Sequence, residues 1–143
     1  MAISKQYVNY KAFLSEESTY KLIVMVGHEQ YGDIDINPYG STITIPDEQL
    51  PPDNSTRWEP ELGEGSLLID KILALNVLSR YEKEYDKNEK QYMLLEVTVD
   101  LEETDIDGNV RKTELLPTEA NSNKAQVAEK YDIVIFKLNI KFA

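Results

Sequence analysis

Apolar residues are spaced in two ways along this chain. In several stretches they alternate with polar ones. In the central stretch, residues 66–85 (SLLIDKILALNVLSRYEKEY), they fill the first half almost all the way round a helical wheel, and the final turns become charged. Leu67, Ala74, Leu78, Tyr81 and Tyr85 fall on one line at a period of 3.6, with Leu68, Ile72 and Leu75 beside it. That stripe is wide enough to pack on a sheet. Good helix formers dominate the run, and Ser66 stands at an N-cap position after the loosening glycines Gly63 and Gly65. The spacing therefore predicts one long helix over 66–85. Ile69, Leu73 and Val77 then fall on its far side. They need cover from a loop, from the N-terminal segment or from a second subunit.

Period-two patterns lie on either side. Residues 20–26 (YKLIVMV) place Tyr20, Leu22, Val24 and Val26 on one face and Ile23 and Met25 on the other, which predicts a central strand. Residues 7–14 read as a strand or an arm. In 32–40 (GDIDINPYG), Ile34 and Ile36 oppose Asp33, Asp35 and Asn37, as in a half-exposed strand before an Asn-Pro turn. STITIP, residues 41–46, reads as a short strand with Ile43 and Ile45 on one face. Residues 92–103 give the cleanest alternation: Leu95, Val97, Val99 and Leu101 in, Glu96, Thr98 and Asp100 out.

Asp107-Gly108 marks a hairpin after that strand. A two-residue loop would set Leu101 against Glu114. A three-residue loop over 107–109 pairs Ile106 with Val110, Asp105 with Arg111 and Leu101 with Leu115. The second register matches apolar to apolar and acid to base, and it is the one expected. The last strand, 131–142, places Val134, Phe136, Leu138, Ile140 and Phe142 on one face. Its length suits either a single sheet or an extension into a neighbour's sheet.

Two connections separate these elements. Residues 47–65 hold three of the six prolines and read as a mobile, irregular segment, and 117–126 reads as a second flexible one. The expected architecture is α+β. One domain spans 1–143, with an antiparallel or mixed sheet of about five or six strands packed against the 66–85 helix.

Composition narrows the chemistry. The chain has 143 residues, 41% hydrophobic and 29% charged, which is a folded composition. It has no cysteine, which excludes disulfides, a cysteine nucleophile and thiolate metal sites, and fits a reducing compartment. No long apolar run predicts a membrane span or a secretory leader. A cytoplasmic or virion location is expected. The net charge is −11, concentrated in 29–64 and 82–119. Direct nucleic-acid binding is disfavoured, and a basic protein is the more natural partner.

Catalytic signatures are sparse. The chain has no phosphate loop, dinucleotide fingerprint, zinc-binding His pair or nucleophile elbow. His28 is the single histidine, and a loop or strand-end hydrogen bond is its expected role. Asp33, Asp35 and Asn37 imitate the start of a calcium loop, but Pro38 and Thr44 occupy the positions that need Gly and Glu. Asp105, Asp107 and Asn109 form a second short cluster, read as a plain turn. No metal and no cofactor is expected.

Three functions follow, in order. The first is a non-catalytic protein-interaction or assembly subunit, such as a small viral structural (tail or virion) component, bound to copies of itself or to a larger partner. The second is an acidic inhibitor or nucleic-acid mimic directed at a basic nucleic-acid-binding protein. The third is a small hydrolase using carboxylates. Candidate interface residues are Trp58, Arg57, Tyr39, Tyr85, Ile69 and Val77. The candidate acidic surface comprises Asp47, Glu48, Asp53, Glu59, Glu61, Glu64, Glu96, Asp100, Glu102, Glu103, Asp105 and Asp107.

Overall fold

Alternation decides which side each strand buries, and here it fills one core from two sides. A computed structural model describes residues 2–6, 10–12, 14–27, 34–80, 96–115 and 133–143. In chain order these form β1 (Ala2–Gln6), β2 (Tyr10–Ala12), β3 (Thr19–Gly27), β4 (Ile34–Asn37), a 3-10 turn (Asp47–Gln49), β5 (Arg57–Trp58), β6 (Glu61–Glu64), α1 (Gly65–Leu68), β7 (Ile72–Arg80), β8 (Glu96–Thr104), β9 (Val110–Glu114) and β10 (Ile133–Phe142). The class is α+β, as expected, with one helix among the described residues. The strands form two five-stranded sheets rather than one.

The first sheet runs β1-β10-β7-β4, with β2 also on β10. It is mixed: β1 and β2 lie parallel to β10, and β7 lies antiparallel to it. The second sheet runs β5-β3-β8-β9, with β6 also on β3, and all its pairs are antiparallel. Leu73, Leu75 and Val77 of β7 join Leu138, Ile140 and Phe142 of β10 in the core. Leu22, Val24 and Val26 of β3 and Val97, Val99 and Leu101 of β8 belong to the same cluster. Each such side chain contributes roughly 1.5–3 kcal/mol of transfer free energy. β10 has neighbours on both edges, so its length is used within one chain. The side chains of Val134 and Phe136 lie outside the described residues.

The long helix is the main correction. Helical geometry lasts one turn, and Asp70 then takes a φ of 65°. The Asp70 N–H donates to the Phe142 carbonyl at 2.8 Å, and the Phe142 N–H to the Lys71 carbonyl at 3.0 Å. These bonds hand the chain to β10, and nine consecutive residues pair from there. A run apolar on both faces is also the mark of an interior strand. At period two, Leu73 and Val77 need no separate cover, because they share the core face with Leu75. Residues 81–85 lie outside the described residues.

Two loop expectations also change. Within 47–65, β5 and β6 both pair with β3, and Leu62 forms a bulge between Glu61 and Gly63. Residues 41–46 form no strand. Hydroxyls close the β7 edge instead: the Ala74 N–H donates to Ser41 Oγ at 2.9 Å, and the Ile72 N–H to Thr42 Oγ1 at 2.8 Å. Ile43 and Ile45 still pack against the core. The 117–126 connection and His28 lie outside the described residues.

Candidate interaction surface

Two of the expected interface residues are core residues. Trp58 is 4% exposed and donates its indole N–H to the Gln49 carbonyl at 2.6 Å. Val77 is fully buried, because β7 turns it inward. Neither offers a surface to a partner. Ile69 is half-buried. Arg57 is exposed but held by Glu59, with Nε 2.7 Å from Oε2. Tyr39 is 83% exposed, at a turn where its N–H donates to Asn37 Oδ1 and its carbonyl accepts from Asn76 Nδ2. Tyr85 lies outside the described residues.

Apart from Asp100, which is half-buried on β8, the acidic candidates divide in two. Asp47, Glu48, Asp53, Glu61, Glu64 and Asp107 are exposed, and the side chain of Glu96 lies outside the described residues. Glu59, Glu102, Glu103 and Asp105 have partners in the same chain. Glu59 binds Arg57 and stands 3.5 Å from Lys21 Nζ, and its carboxyl is held below the usual range chiefly by the Arg57 hydrogen bond. Arg57 is raised in turn by Glu59. Glu102 stands 3.8 Å from Lys112 across β8 and β9. Glu103 accepts from Arg111 at 3.1 Å and from the Tyr20 hydroxyl at 3.2 Å. Burial is the main reason that the Tyr20 hydroxyl titrates above the ordinary range. Bases thus interleave with acids over the second sheet.

The β8–β9 hairpin has a register that neither expected pairing gave. Thr104 pairs with Val110, Glu103 with Arg111, and Leu101 with Thr113. The loop is Ile106–Gly108, with Gly108 at φ 85° in the left-handed third position. Asp105 locks it. Its carboxylate accepts the N–H groups of Asp107 and Asn109, both at 2.9 Å, and the Asn109 side-chain amide at 3.2 Å. Those bonds, led by Asn109, hold its pKa below the ordinary range. The carboxylate is therefore spent on its own loop. Among the described residues no three His, Cys, Asp or Glu side chains form a metal-binding group.

What the residue-by-residue reading missed is a strand edge. All five residues of β9 are exposed, on both of its faces. Among the described residues its one partner strand is β8. The Asp105 N–H donates to the Asn109 carbonyl, and the Leu115 N–H to the Val99 carbonyl. By antiparallel alternation, Arg111 and Thr113 then bond to β8, while the N–H and C=O of Val110, Lys112 and Glu114 point away. Ile106 and Val110 stand exposed at the tip, at 73% and 59%. The arrangement is chemically suited to pairing with an extended backbone. The available signal was the Asp-Gly turn followed by a short, charged strand at the side of a sheet.

The chain matches no known family model, and comparison with curated proteins and with solved structures gave no match. Among the described residues no helix is long and apolar enough to cross a membrane.

Proposed function

We propose that this protein is a non-catalytic assembly subunit that binds protein, copies of itself included, through the β8–β9 hairpin. One observation carries the reading: among the described residues β9 is an edge strand, exposed along its full length, next to an apolar tip. An open edge with that geometry is a template for another strand. The setting proposed is the cytoplasm or a virion, and a small structural component of a tail or virion is the kind of subunit meant. The interleaved bases favour this over an acidic mimic of nucleic acid, because Lys21, Arg111 and Lys112 interrupt the anionic surface.

Light scattering after size exclusion tests it, run across protein concentration and at low and moderate salt. The expected result is a concentration-dependent mass above the 16.4 kDa chain mass. A monomer under every condition, together with tight binding to a basic protein that weakens steeply with salt, would favour the mimic instead.

A further inference from the structure

We infer that β9 is the joint between two copies of this chain, in a register set by its charges. The inference rests on the assembly reading above and names its surface and its partner.

A two-fold axis that pairs β9 with itself runs the strands antiparallel and pairs residue i with j and j with i. The outward backbone groups belong to Val110, Lys112 and Glu114, so the hydrogen-bonded pairs across the joint must use those residues. Three registers satisfy this with more than one hydrogen-bonded pair across the joint. One sets Lys112 opposite Lys112. Another sets Arg111 opposite Arg111. Both place like charges directly across the joint, which is destabilising. The third sets Lys112 opposite Glu114 of the second copy, twice, around a central Thr113–Thr113 pair. Charge selects the third.

The single chain supplies an independent reason. Glu114 lies directly opposite Asp100 on β8, a like-charge pair, and among the described residues no cation bridges either one. In the third register Lys112 of the second copy stands on the other side of Glu114. The outer face then carries a row of Asp100, Glu114, Lys112 and Glu102, the last two from the second copy. The two second sheets become one continuous sheet, and the open edge disappears.

The absence of cysteine makes the register directly measurable. Thr113 faces its own copy in a non-hydrogen-bonded pair, with Cα atoms about 4.5 Å apart, within disulfide range. Thr113→Cys should give a disulfide-linked dimer under mild oxidation, while Lys112→Cys and Arg111→Cys, which report the other two registers, should not. Lys112→Glu or Glu114→Lys alone should raise the dimer dissociation constant about tenfold, through two cross-strand pairs reversed in sign. The double exchange should restore it. A dimer by light scattering that cross-links at Lys112→Cys or Arg111→Cys, or at none of the three, overturns this joint and leaves the assembly reading standing. A monomer with no cross-link at any position overturns the joint and self-assembly together.

Discussion

Gly65 is the position where a single added carbon should cost most for its size. A Cβ built there would lie 2.0 Å from the Ser15 carbonyl oxygen, 2.9 Å from its carbon and 3.0 Å from Tyr20 Cε2. The Ser15 backbone cannot move aside freely. Its N–H donates to the Tyr20 hydroxyl at 2.7 Å, and its carbonyl accepts from Ser18. The next bonds pin both sides, with the Gly65 N–H on the Ser18 carbonyl at 2.8 Å and the Ser66 N–H on the Glu16 carbonyl at 3.1 Å. Two effects of Gly65→Ala oppose each other. Helix propensity and unfolded-chain entropy favour alanine by about 1 kcal/mol. Overpacking against a fixed backbone costs about 3 kcal/mol, the upper end of its usual range. The steric effect wins, leaving a net loss of about 2 kcal/mol.

Urea unfolding followed by the fluorescence of Trp58, the single tryptophan, reads this directly. With a slope of about 2 kcal/mol per molar urea, the midpoint should fall by about 1 M at unchanged slope. Gly63→Ala is the control. Gly63 has a φ of 93° and nothing within 4 Å of its added Cβ, so it should lose only about 1 kcal/mol of backbone strain. A Gly65→Ala midpoint equal to or above wild type, or above that of Gly63→Ala, would refute the packing argument.

Three further outcomes are expected. Trp58→Phe leaves the Gln49 carbonyl without its indole donor and should cost about 1–2 kcal/mol in urea unfolding followed by circular dichroism, since the variant has lost the fluorescent probe. Asp105 titrates below its ordinary value of 3.8 in the folded chain, so its contribution is present above about pH 4 and is lost as pH falls through the folded value. Protection of the Asp107 and Asn109 amides from hydrogen exchange should therefore hold down to about pH 4 and drop as pH falls further, relative to Asp105→Asn, which keeps a neutral acceptor. Deleting residues 133–143 removes the strand between β7 and the β1/β2 edge, so a cooperative unfolding transition should disappear from thermal melts followed by circular dichroism.

Strands with strict alternation were legible because one buried face is enough to define them. Val97, Val99 and Leu101 lie in the core as their spacing requires, and so do Ile34 and Ile36. Residues 66–85 were not legible in the same way. A run apolar on every side satisfies a helical and a β template equally, and local propensity then tips the choice towards helix. What decides it is pairing with β10, more than fifty residues away in the chain, and no local window contains that. The signal was present as a contradiction: Ile69, Leu73 and Val77 had no helix face to bury. Read at period two, Leu73 and Val77 fall in line with Leu75. The same error made Val77 an interface candidate, when its burial belongs to the strand.

The hairpin shows a finer limit, and it bears on the proposed joint. Matching Leu101 to Leu115 correctly placed both residues on the core side, where both are buried. The register differs by two positions along β8, and a slip of two keeps every side chain on its own face. Apolar matching is therefore blind to it. Charge matching is blind as well, because acids at 103 and 105 both offer Arg111 a partner. Only turn chemistry separates the two registers. A three-residue loop wants its left-handed residue third, which makes Gly108 the last loop residue and leaves Asn109 to close the ladder with Asp105. That choice puts Glu114 opposite Asp100 instead of Glu102, and sends the backbone groups of Lys112 and Glu114 to the open edge. A joint built from those two residues thus depends on where one glycine sits in the turn.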